Sequence, residues 1–171
     1  GAPNFREALA AKQSRWMGLP LDPDRHLVVT CGSTEAMMVA MMTACNPGDR
    51  VIVFSPFYEN YGPDAVMSGA VPRYVRMEWP DWRIDEERLK AAFTRRTKAV
   101  IVNTPNNPTG KVFTQAELRL LGDLCSDFNA VAVTDEIYEH ILYDGARHVS
   151  LASLGDMAER TITISGLSKT Y

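Results

Sequence analysis

Short apolar runs alternate with helical periodicity from one end of this chain to the other, and that alternation restricts its fold most. Residues 27–31, 51–54, 71–75, 98–103, 130–134 and 161–165 read as strands, rich in β-branched side chains and apolar on both faces. Phe5, Ala8, Leu9 and Trp16 recur at helical spacing, so residues 4–17 read as an amphipathic helix. A long apolar helix is expected over 34–45, stopped by Asn46-Pro47-Gly48-Asp49, and another over 85–93. Thr114 and Glu117 form a capping box in front of a helix carrying Leu118, Leu121, Cys125 and Phe128. Residues 58–68 are mixed, with Gly62-Pro63 breaking any long helix. Strands of this kind, separated by helices, predict a three-layer α/β/α fold around a mostly parallel sheet. No repeat or linker divides the 171 residues, so one domain is expected.

Composition narrows the function classes. Net charge is -3 with no basic run, which argues against nucleic acid or an anionic membrane as partner. No apolar stretch reaches the roughly 18 residues of a membrane span, and no signal-peptide pattern opens the chain. Cys31, Cys45 and Cys125 are odd in number and far apart, as reduced thiols of a cytoplasmic protein would be. His26, His140 and His148 show no ligand spacing, so a metal is not expected.

In parallel sheets ligands bind beyond the carboxyl ends of the strands, and the polar residues fall there. Gly32-Ser33-Thr34 follow the first run, Tyr58 the second and 103–110 the fourth, while Asp135 ends the fifth and Ser168-Lys169 follow the sixth. A lone lysine near a chain end is usually a solvated charge. Its meaning changes if a carbonyl cofactor is held nearby, which requires donors for a phosphate, an acid for a ring nitrogen and a flat wall for the ring. Gly32-Ser33-Thr34 at a helix start is a phosphate seat or a plain N-cap. Asp135 sits where it should be largely buried and needs a donor or cationic partner. A ring nitrogen, a structural salt bridge and a cap over 136–141 all fit. In the loop 103–110, two prolines and a glycine fix the turns, and Asn106 and Asn107 offer amide donors.

The segments CGSTEAM, PFYENY, TPNNPTG, TDEIY and SGLSKTY, in this order, resemble the class I/II aminotransferases of pyridoxal-phosphate fold type I. The resemblance covers essentially the whole chain. It implies that Lys169 holds pyridoxal 5'-phosphate as a Schiff base and that Asp135 pairs with the pyridine nitrogen. It further implies that Asn107 and Tyr138 donate to the phenolic oxygen, and that Ser33, Thr34 and Ser168 hold the phosphate. Tyr58 would stack on the ring with Phe57 behind it. Amino-group transfer between an L-amino acid and a 2-oxo acid, by a homodimer, is the implied activity.

The chain departs from the family pattern in three ways. Position 166 is Gly where some members have a phosphate-contacting serine. The lysine motif of the family runs on to a phosphate-binding arginine, whereas Tyr171 is the last residue here. The N-terminal arm and the small C-terminal domain, with its carboxylate-gripping arginine, have no counterpart. Residues 1–171 therefore read as the central part of the large domain, inactive in isolation. Other reactions on the same scaffold, such as β-elimination, remain open, as does a ligand-sensing domain of a transcription regulator. A dinucleotide-binding domain is disfavoured by the lack of G-x-G-x-x-G.

Overall fold

A computed structural model describes residues 1–171. Its strands are β1 (Arg50–Ser55), β2 (Val71–Glu78), β3 (Arg83–Ile84), β4 (Thr97–Asn103), β5 (Val131–Asp135) and β6 (Thr161–Ile164). The helices are α1 (Pro3–Met17), α2 (Gly32–Ala44), α3 (Tyr61–Met67), α4 (Glu86–Ala92) and α5 (Gln115–Asp127). The strands form one six-stranded sheet in the order β3-β2-β1-β4-β5-β6. All neighbours run parallel except β2 and β3. Mixed α/β structure with a mainly parallel sheet is what the alternation predicts.

Both faces of the central strands are buried, as their unbroken apolar runs require. Ile52, Phe54, Val100, Val102 and Ala132 pack with Leu89 of α4 and Leu118 and Leu121 of α5. Val51, Val53, Ile101 and Val133 point the other way, onto Met37 and Met41 of α2 and Tyr61 and Ala65 of α3. The capping box starts α5: Thr114 Oγ1 accepts from the Glu117 N–H at 3.2 Å, and Glu117 Oε2 accepts from the Thr114 N–H at 2.8 Å. No helix is long and apolar enough to cross a membrane.

One expected strand is absent, and two short elements appear that the sequence did not mark. Residues 27–31 are not a strand, because nothing pairs with them. A cavity of about 800 Å³ separates Val28, Val29 and Thr30 from Thr161 and Thr163 of β6, and β-branched preference without a neighbouring edge does not make a ladder. Residues 58–68 hold only the short helix α3, and Gly62-Pro63 lies in its first turn. A missing N–H there removes no intrahelical bond. The two-residue β3, paired antiparallel with Met77 and Glu78, was too short to read from sequence.

Candidate active site

The chain leaves β1 toward β2 on one side and β4 toward β5 on the other, so the sheet order reverses between β1 and β4. Ligands of open parallel sheets bind at the carboxyl ends near such a reversal. Register puts Asn103, Asp135 and Ile164 level across β4, β5 and β6 at that end.

Asn103 is buried and organises this row. Its Nδ2 donates to the Asp135 carbonyl at 2.9 Å, while its Oδ1 accepts the Asn107 N–H at 2.6 Å. The end of β5 and the loop after β4 are thus clamped together by one side chain. Asn106 and Asn107 then part ways. Asn106 is buried and its Oδ1 accepts from the Thr109 hydroxyl at 2.7 Å, so it builds the loop instead of offering a donor outward. Asn107 is only partly buried and is fixed through its backbone, which leaves its side-chain amide for a ligand. Gly110, at φ +74°, closes the turn in the left-handed region.

Asp135 is 6 % exposed. Oδ2 accepts from the Tyr61 hydroxyl at 2.7 Å, and Oδ1 accepts from the Ile137 N–H at 3.2 Å. Both donors are neutral, and no Lys, Arg or His pairs with the carboxylate, so it is not half of a structural salt bridge. The Ile137 bond does cap a turn, although 137–140 form no helix. Burial pushes the Asp135 carboxyl above its ordinary 3.8, partly opposed by the Tyr61 and Ile137 hydrogen bonds. A buried carboxylate of this kind is stabilised by a cationic N–H, and the carboxylate oxygens retain lone pairs to accept one. The donor set therefore fits a protonated pyridine ring.

Around Asp135 the aromatic residues are set by the β1–α3 connection. Tyr58 and Tyr61 meet edge to face, ring centroids 5.8 Å apart. Tyr138 lies close enough to Tyr61 to act on its phenol electrostatically. Phe57 stacks on Tyr74 of β2, ring centroids 5.2 Å apart.

At the start of α2, no side chain caps the helix. The Ser33 and Thr34 N–H groups have no intrahelical acceptor, so they stay available to an anion. Glu35 instead binds back to the Cys31 N–H. Ser33 and Ser168 line the same cavity of about 800 Å³ that lies beside β6. Tyr58, Asn107, Asp135, Tyr138 and Lys169 do not line it. Lys169 is exposed in the turn after β6 and forms no ion pair. Gly166 passes close to the turn after β5: a Cβ there would meet the end of the Ile137 side chain, Cδ1, at 3.3 Å.

The model of the family "Aminotransferase class I and II" matches residues 1–171. The chain belongs to the class I and II aminotransferases. Members of that family are pyridoxal-phosphate enzymes. The probable N-succinyldiaminopimelate aminotransferase DapC of Mycobacterium tuberculosis is 41 % identical over 174 residues, covering 100 % of this chain and 44 % of the relative. Human kynurenine–oxoglutarate transaminase 1 is 38 % identical over 182 residues, covering 100 % and 43 %. The solved structure of N-succinyldiaminopimelate aminotransferase from Mycobacterium tuberculosis superposes with a TM-score of 0.97 at 41 % identity, covering 100 % of this chain and 45 % of that one. The fold is accordingly that of fold type I aminotransferases. The chain spans less than half the length of these relatives.

Two features of this aminotransferase segment escaped the sequence reading. The Tyr61 hydroxyl on Asp135 spans 74 positions and has no local signature. A second polar centre lies behind the site. Glu139 Oε1 pairs with Lys12 Nζ at 2.6 Å and accepts from Ser165 at 3.3 Å. Glu136 accepts from Ser150 at 2.9 Å and meets His148 Nε2 at 2.8 Å. Ligating atoms of Glu136, Glu139 and His148 all lie within 4.8 Å of one another. The spacing of the histidines gave no hint of this, because the fold alone brings His148 back to Glu136.

Proposed function

We propose that the full-length protein is a pyridoxal-phosphate-dependent aminotransferase that moves an amino group between an L-amino acid and a 2-oxo acid. The buried Asp135 carboxylate, held by two neutral donors and no cation at the carboxyl end of the sheet, carries this reading. Bound there, the cofactor supplies an electron sink for the charge left on the amino acid's α-carbon. Asp135 keeps the ring nitrogen protonated, which deepens that sink. Asn107 Nδ2 and the Tyr138 hydroxyl donate to the phenolic oxygen. Tyr58 forms the flat wall over the ring. Ser33 and Thr34, with their free backbone N–H groups, and Ser168 receive the phosphate. Lys169 Nζ would hold the cofactor and would act as the general base toward the substrate's α-proton.

Residues 1–171 are assigned to the central part of the cofactor-binding large domain. The names of the relatives cite different amino donors, so the proposal stops at the class. We place the full-length protein in the cytoplasm, where its three free thiols would stay reduced, and read it as a homodimer from the family resemblance. The segment alone is assigned no sustained turnover, because it spans under half of its relatives and substrate orientation by further parts is worth several kcal/mol. The test is oxo-acid formation by the full-length protein, supplied with cofactor, single amino acids and 2-oxoglutarate. Turnover lost in Asp135→Ala supports the reading. A full-length protein that binds cofactor but transfers no amino group from any amino acid overturns it.

A further inference from the structure

Tyr61 is the first residue of α3 and is 3 % exposed, with its ring in the apolar layer between α2 and the sheet. A phenylalanine would fill that space equally well. The hydroxyl has one hydrogen-bond partner, Asp135 Oδ2 at 2.7 Å. Burial, followed by the neighbouring Asp135 charge, raises the phenol far above its ordinary 10.0, so it stays protonated and always donates. The opposite oxygen, Oδ1, is held by the Ile137 N–H at 3.2 Å. Donors on both sides fix the carboxylate plane and favour its charged form. Tyr58 and Tyr61 also leave the same connection, so one short segment sets both the ring's wall and the orientation of the acid.

We propose that Tyr61 is a positioning residue of the reaction, whose hydroxyl aims the Asp135 carboxylate at the ring nitrogen and holds it ionised. This rests on the cofactor reading above. The other titratable groups facing the pair are Tyr58 and Tyr138 on the tyrosine side and Glu136 on the acid side.

The test compares full-length wild type, Tyr61→Phe, Asp135→Asn and the double variant. In apo-protein labelled with carboxyl-13C aspartate, the Asp135 titration midpoint should move upward in Tyr61→Phe. Selective 3-fluorotyrosine at position 61, a stronger donor in the intact ring, should move it downward. In holoenzyme, Tyr61→Phe should weaken cofactor binding and lower kcat about tenfold each, the loss of one hydrogen bond to a charge. On the Asp135→Asn background the same change should have no effect, because the coupling runs through the carboxylate. An unmoved Asp135 midpoint, or an equal effect on both backgrounds, assigns Tyr61 to packing alone and overturns the role. Wild-type protein that takes up no pyridoxal phosphate overturns the cofactor reading itself, a result distinct from a wild type that binds and a Tyr61→Phe that matches it.

Discussion

Lys12 Nζ sits 2.6 Å from Glu139 Oε1 and ties α1 to the turn that follows β5. Glu139 is 1 % exposed, and Ser165, just past β6, also donates to the same oxygen at 3.3 Å. One carboxylate thereby joins the N-terminal helix to the strand ends that carry Asp135 and lead to Lys169. Lys12→Met removes the countercharge and leaves the acid buried. The expected loss is about 2–4 kcal/mol in denaturant unfolding of the full-length protein, below the full cost of a buried broken pair because Lys12 is partly exposed. Lys12→Met with Glu139→Gln should recover most of it. An unchanged midpoint in the single variant would show that the pair contributes nothing.

Asp135 sets function against stability. Burial holds its carboxyl above the ordinary 3.8, so the folded apo-protein binds this proton more tightly than the unfolded chain. The favourable contribution is complete below 3.8 and fades as pH rises through the raised value. At neutral pH without cofactor, the charge costs stability. Asp135→Asn should therefore raise the apo-protein's melting temperature at pH 7. The gain should shrink toward pH 4, while turnover falls by orders of magnitude. Apo-protein melted across pH 4–8 gives the answer, and a destabilised variant at pH 7 contradicts the assignment of Asp135 as an unpaired acid.

The sheet and the site differ in how much of each was legible. Both-face apolar runs such as 98–103 and 130–134 state their own burial, because a parallel strand must be apolar on either side. Thr114 and Glu117 likewise announce a helix start through contacts only three residues apart. Residues 27–31 carry the same β-branched signal and form no strand, since pairing depends on an edge that local sequence does not encode. The loop 103–110 is legible as a rigid polar loop, but only the family resemblance, not its residues alone, singles out Asn107 over Asn106. Asn106 is claimed by Thr109, three positions along, while Asn107 is set by Asn103. No local feature marks Tyr61, and only the fold brings its hydroxyl to Asp135.

The three thiols should separate by reactivity. Cys31 is exposed at the start of α2, whereas Cys45 and Cys125 are buried. Burial pushes the Cys45 thiol from 9.0 to about 11, with Asp49 adding to it, and the Cys125 thiol to about 12 against a small pull from Arg160. Folded values above the ordinary one mean that their stabilising contribution holds below pH 9 and disappears as pH climbs through 11 to 12. Iodoacetamide on native full-length protein at pH 8 should alkylate Cys31, with Cys45 and Cys125 reacting only after denaturation. Rapid native alkylation of Cys125 would contradict the packing around α5.

Lys169 is assigned as the residue that bonds the cofactor, and peptide mapping of the reduced protein reads that bond. The full-length protein is loaded with pyridoxal phosphate, reduced with borohydride, digested, and searched for the pyridoxyl mass. The expected label lies on Lys169, in the peptide containing Ser165-Gly166-Leu167-Ser168-Lys169. It should disappear in Lys169→Arg, while Asp135→Asn retains the site at lower occupancy. A label on Lys98 or Lys111 with Lys169 unmodified would contradict the assignment of Lys169.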